Sequence, residues 1–196
     1  MIVEKMPEWM PDAYVELVVD NGPVHDFTFS DAEKKILKKK KLIIPSFWQE
    51  KYRVLPDSSD LAGPMKNIFT PYMVGIIDAA DFPGVETTIL CKCVQSGGTE
   101  NFHSLMGCMA DRGPGNILYV YPNKDAGKKQ LKTRILPMFK ASSNLKKYLT
   151  GSVNDENNLG IRLKHLDIDI AWAHSPASLA SAAYRYVVFD ETDKYP

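Results

Sequence analysis

No apolar run in the sequence approaches the length needed to cross a membrane, so no membrane contact is expected. Net charge is also lacking, since 24 Lys and Arg balance 24 Asp and Glu. A global basic excess is therefore absent, and any contact with nucleic acid has to come from local patches. Cysteine is scarce: Cys91, Cys93 and Cys108. Cys91 and Cys93 miss the C-x-x-C spacing of zinc and redox sites, and buried free thiols are expected. An odd count suits a reducing compartment, and the first fourteen residues mix acids with prolines unlike a secretory leader. His103, His165 and His174 have no metal-ligand spacing. Internal repeats and low-complexity linkers are missing too.

What remains is an ordinary globular balance. The 196 residues are 44% hydrophobic and 24% charged, enough for one domain with a sizeable core. Residues 1–45 form a patchy N-terminal extension. It holds a short strand expected at 15–19, and a helix that Ser30 and Glu33 would cap before a lysine run and Pro45 end it. Residues 46–84 are expected to form a helix, a loop over 55–67 and a second helix. Phe47, Trp48 and Tyr52 would be core, and Thr70-Pro71 would start the second helix.

From residue 85 the pattern alternates. Strands are expected at 85–91, 116–121, 161–166, 168–173 and 186–189. Helices are expected at 99–110, at 124–139 with a bend or break at Pro137, at 144–149, and after Ser175-Pro176. Alternation of this kind implies an α/β fold with a mainly parallel sheet flanked by helices.

Two segments carry chemistry. Lys92-Cys93-Val94-Gln95-Ser96-Gly97-Gly98-Thr99 lies between an expected strand and an expected helix, where unpaired helix amides receive an anion. Against the phosphate-loop pattern G-x-x-x-x-G-K-[ST], Gly97 and Thr99 match. Gly98 replaces the lysine, and Lys92 stands at the first glycine. Lys92 would reach the phosphates from the front of the loop, and the Thr99 hydroxyl would contact Mg²⁺. The second segment, Tyr186-Val187-Val188-Phe189-Asp190-Glu191, is an apolar strand ending in two carboxylates. Asp190 would hold Mg²⁺ and Glu191 would act as general base on a water. An ordinary strand-turn-helix and an ordinary acidic turn are the plain alternatives. Both segments end expected parallel strands at the carboxyl edge, where open α/β sheets bind ligands. Residues 124–147 add eight basic side chains against one acid, Asp125: a solvated helix face, or a patch facing DNA or another subunit.

The order of several segments resembles the GpA-type, lambda-like phage terminase large subunits. The likeness runs over about residues 46–196. It includes Trp48 through Pro56, Thr70-Pro71-Tyr72 with Ile76-Ile77-Asp78-Ala79, and Lys92 through Glu100. It continues with Tyr121-Pro122, Leu136-Pro137-Met138, Ser175 through Leu179, and Asp190 through Pro196. The resemblance implies an ASCE-like P-loop NTPase core that binds ATP and Mg²⁺ and drives DNA into a capsid. Lys92, Gln95, Ser96, Gly97, Gly98 and Thr99 would bind nucleotide, with Gln95 near the γ-phosphate. Thr99 and Asp190 would hold Mg²⁺, and Glu191 would be catalytic. It places the adenine site within residues 55–71.

Implied partners are double-stranded DNA, a small terminase subunit, a portal protein and further copies of the chain, in the host bacterial cytoplasm. A DNA-cutting nuclease domain follows the ATPase in this family, so the chain is expected to be an incomplete motor. Gly98, and Ala180 where many members have arginine, depart from the pattern. They leave two alternatives open: a helicase-like nucleic-acid ATPase, or a decayed prophage P-loop module that hydrolyses nothing.

Overall fold

A computed structural model describes residues 30, 43–113, 115–152, 155–157, 159–175, 179 and 182–196. The strand expected at 15–19 and the helices expected after Ser30 and from Pro176 lie outside the described residues. Within the compact unit Lys41–Pro196, the first helix, α1, spans Pro45–Tyr52. Pro45 therefore opens a helix as well as following the lysine run, because its fixed φ suits a first turn. Asp78 caps this helix, accepting from the Ser46 amide at 2.8 Å and its hydroxyl at 2.7 Å. Trp48 is wholly buried, but Phe47 is 52% exposed, which corrects its expected place in the core.

The expected loop contains a small hairpin, β1 (Val54–Leu55) against β2 (Gly63–Pro64). A tight turn, Pro71–Met73, then leads into α2, Val74–Ala79. Thr70 makes no side-chain cap; its hydroxyl instead accepts from Asn101 at 3.0 Å. The buried face here is Met73 and Ile77, while Tyr72 is exposed.

The strand expected at 85–91 does not form. That segment has no regular structure, Ile89 is 90% exposed, and Cys91 and Cys93 are exposed. β-branched residues favour a pleated surface only when a neighbour supplies hydrogen bonds and burial. Among the described residues none does so here. Only Cys108 has the buried thiol the composition suggests.

Helix α3 spans Gly98–Arg112. It is followed by β3 (Ile117–Tyr121), α4 (Lys124–Gln130), a π-turn at Leu131–Ile135, α5 (Leu136–Ala141) and α6 (Ser143–Lys146). Asn123 caps α4 through the Ala126 amide at 2.8 Å. Pro137 does not break the helix. The widened turn just before it absorbs the missing amide, and the helix continues into α5. The chain then forms β4 (Glu156–Asn157), β5 (Gly160–Arg162), β6 (Asp167–Trp172) and β7 (Tyr186–Phe189).

The sheet order is β4-β5-β6-β3-β7. β6, β3 and β7 are parallel, and β4 and β5 add an antiparallel edge. The fold is thus α/β with a mostly parallel sheet. Side chains alternate along β3. Ile117, Tyr119 and Tyr121 join the main core with Met106, Ile135, Met138 and Phe139 from the helices, while Leu118 and Val120 face Tyr184 and Tyr195. Among the described residues the helices that flank the sheet pack on one face of it.

Candidate nucleotide site

Gln95 has φ +58° and Gly97 has φ +72°, so the chain reverses sharply before entering α3. A Cβ on Gly97 would meet the Thr70 methyl at 2.7 Å. Glycine is needed there for both its backbone angle and its lack of a side chain. The turn is held from outside: Tyr72 donates its phenol to the Ser96 carbonyl at 2.9 Å, and Asn101 donates its amide to the Gly97 carbonyl at 2.9 Å. Tyr72 was not legible as a loop support, because its bond spans 24 positions and depends on how the Pro71–Met73 turn packs against the loop; the Asn101 bond is local, four residues along the chain, and was not singled out.

The Lys92 side chain lies over Gly98. A Cβ there would strike Lys92 Cδ, with Cε at 2.9 Å. The lysine therefore covers the position that a standard phosphate loop gives to its own lysine. Lys92, Gln95, Ser96, Gly97, Gly98 and Thr99 line one cleft, together with Glu100, Gln130 and Arg134. A second cleft of about 260 Å³ shares Gln95, Ser96, Gly97 and Glu100 with it. Its far wall is apolar: Leu55, Leu61, Met65, Phe69 and Tyr72. The Ser96 hydroxyl is shielded from solvent with no protein partner.

Beneath the loop sits a charge cluster built on one buried arginine. Arg53, 2% exposed, donates to the Glu100 carboxylate, the Glu100 carbonyl and the Ser104 hydroxyl. The other Glu100 oxygen accepts from Arg134 at 3.0 Å. Burial by itself would raise the Glu100 carboxyl, but the Arg53 charge and its neighbours hold it below its ordinary value. The pairing clamps the first turn of α3 to the end of α1. Local pattern could not show this, since the pair is 47 positions apart.

Asp190 and Glu191 are outside the cleft lining. Asp190 is 2% exposed at the carboxyl end of β7. It accepts from the Tyr119 phenol at 3.2 Å and from the Glu191 amide at 3.0 Å. Glu191 is exposed, has φ +53° and pairs with Lys194 at 2.8 Å. Buried aromatics connect the two halves. Tyr119 stacks on Tyr121 at 4.6 Å, and the Tyr121 phenol lies 3.4 Å from the buried His103 on α3. Burial raises the Tyr121 phenol, and the Asp190, Glu100 and Glu191 charges push it further. The stacked Tyr119–Tyr121 pair thus runs from the loop helix, at His103, to Asp190.

Among the described residues no group of three or more His, Cys, Asp or Glu forms a metal cage. Mg²⁺ is commonly held by one or two carboxylates with water and phosphate oxygens; the chemistry of a single buried carboxylate, Asp190, is of that kind, while Thr99 lines the cleft and Asp190 does not. Several basic residues of 124–147 are engaged within the chain: Lys140 with Glu156 at 2.7 Å, Lys147 with Asp111 at 3.3 Å, and Lys124 over Trp172.

The family description "Phage terminase large subunit gpA, ATPase domain" matches residues 59–196. The chain belongs to this terminase ATPase family. Neither a curated protein nor a solved structure matches it. Membership agrees with the resemblance seen in the sequence, and it implies a nucleotide and Mg²⁺ for the domain as a class.

Proposed function

We propose that this terminase domain binds Mg-ATP in the cleft under Lys92 and uses its hydrolysis to move double-stranded viral DNA into a capsid. The observation that carries the reading is the Lys92 side chain lying over Gly98 at the mouth of the glycine loop. A cation there faces the amides of the first turn of α3, so charge and hydrogen-bond donors converge on one anion. Ser96 offers a further donor. The base lies in the neighbouring apolar cleft, against Phe69 and Tyr72.

When bound, Mg²⁺ offsets charge on the terminal phosphates. Asp190 and Thr99 hold it, Gln95 contacts the γ-phosphate, and Glu191 takes the proton from the attacking water once released from Lys194. Translocation further requires copies of the chain acting together at a portal, with a small subunit that finds the DNA, in the bacterial cytoplasm.

The test is a Mg-ATP titration of the chain and of Lys92→Ala. The variant should bind about 10-fold or more weakly, the scale of removing one charge-assisted hydrogen bond. Its melting temperature should not move, because Lys92 is exposed. Equal affinity of the two proteins, or no binding by the parent, refutes the assignment.

A further inference from the structure

We propose that Arg134 is a second phosphate-binding cation, switched between Glu100 in the empty site and the terminal phosphates of a bound nucleoside triphosphate. The inference rests on the nucleotide reading above and adds a residue that the loop sequence does not contain.

Three observations place it. Arg134 lines the same cleft as Lys92 and Thr99, although it lies 35 positions beyond Thr99 in the chain. It shares a helix face with Gln130, four residues earlier, which also lines the cleft. The π-turn Leu131–Ile135 carries it; such turns insert an extra residue and re-aim the side chains that follow.

Its partner is fixed, and Arg134 is not. Glu100 is held from below by Arg53, which is buried and bonded three ways. Arg134 is 43% exposed and reaches the free Glu100 oxygen at 3.0 Å. Of the three charged groups it is the one able to leave with little cost in packing. A guanidinium also presents a planar fork that matches phosphate oxygens, which an ammonium does not.

Charge balance supplies the reason. With Gly98 in place of the usual lysine, Lys92 is the only cation the loop itself contributes. A triphosphate carries more negative charge than Mg²⁺ and one lysine offset. An arginine on the facing helix makes up the difference. Glu100 then keeps Arg134 in position while the site is empty, and competes with the phosphates for it when nucleotide arrives.

The experiment compares ATP, ADP and AMP binding, each with Mg²⁺, by titration calorimetry on the parent, Arg134→Ala, Arg134→Lys, Glu100→Gln and Lys92→Ala. Arg134→Ala should lose about 10-fold in ATP affinity, less in ADP, and nothing in AMP. Arg134→Lys should recover part of the loss. Glu100→Gln, which removes the competing charge, should raise ATP affinity relative to AMP. If Arg134→Ala binds ATP as the parent does while Lys92→Ala does not, the Arg134 assignment alone fails. A uniform loss across ATP, ADP and AMP with a lowered melting temperature would mark a structural role and also overturn it. A parent unable to bind ATP overturns both readings.

Discussion

The phenol of Tyr119 donates to Asp190 across the paired strands β3 and β7, at 3.2 Å, in a spot where both side chains are buried. An isolated buried carboxylate is costly, so this bond and the Glu191 amide, one on each oxygen, stabilise Asp190 and fix the orientation of its carboxylate. Tyr119→Phe should lower unfolding free energy by about 1–3 kcal/mol. It should also raise the Mg²⁺ concentration needed for half-maximal ATP binding several-fold, with AMP binding unchanged. An unaltered Mg²⁺ dependence would leave Tyr119 as core packing only.

Glu191 stands beside that carboxylate but is exposed and tied to Lys194 at 2.8 Å. Glu191→Gln keeps the shape and removes the base. Mg-ATP affinity should stay within about twofold, since Glu191 makes no charge-assisted hydrogen bond to the nucleotide, while steady-state phosphate release by an active motor containing the change should vanish. Turnover equal to the parent's would remove Glu191 from the mechanism.

Gly97 and Gly84 both have positive φ, +72° and +84°, but only Gly97 faces an obstacle, the Thr70 methyl. Alanine at either position should cost on the order of 1–2 kcal/mol for the backbone angle. Gly97→Ala should in addition reshape the loop and weaken Mg-ATP binding at least 10-fold, on the scale of one charge-assisted hydrogen bond to phosphate. The paired comparison, by denaturant melts and titration, isolates the close approach from the φ preference. Loss of binding in both variants would mean that backbone strain alone is responsible.

His103 is fully buried, and burial lowers its pKa from 6.5 to about 4, against the opposing pull of Glu100. The unfolded chain binds this proton near pH 6.5 and the folded chain only near 4. Between those values the unfolded state holds more protons, so stability falls as pH drops through the window, by about 1.4 kcal/mol per unit. Above pH 6.5 the residue contributes no slope. Urea melts of the parent and of His103→Gln at pH 7, 6 and 5 should converge as pH falls. A constant gap between them would show that His103 does not titrate in that window.

The local structure around residues 92–99 and 186–191 was legible in the sequence. A glycine pair before an amphipathic helix, and an apolar strand ending in two acids, are patterns set by neighbours in the chain. β7 forms at Tyr186–Phe189 as expected, and α3 at Gly98–Arg112 differs from expectation only at its ends. Residues 85–91 show where propensity stops. They have strand composition, but without a hydrogen-bonding partner among the described residues they stay irregular and largely exposed. Likewise Phe47 has helical spacing with Trp48 and Tyr52, yet spacing does not say which side of α1 meets the core.

Only the tertiary structure decided who surrounds the loop. Arg53 reaches Glu100 over 47 positions, Arg134 over 34, and Tyr119 reaches Asp190 over 71. Local periodicity determines which face of an element is apolar, and so determined the helix, the strand and the acid pair at its end. It holds no information on which distant charge that face will meet. That depends on how α1, α3 and the π-turned helix pack together, where desolvation makes each buried charge take whatever partner the fold brings within reach.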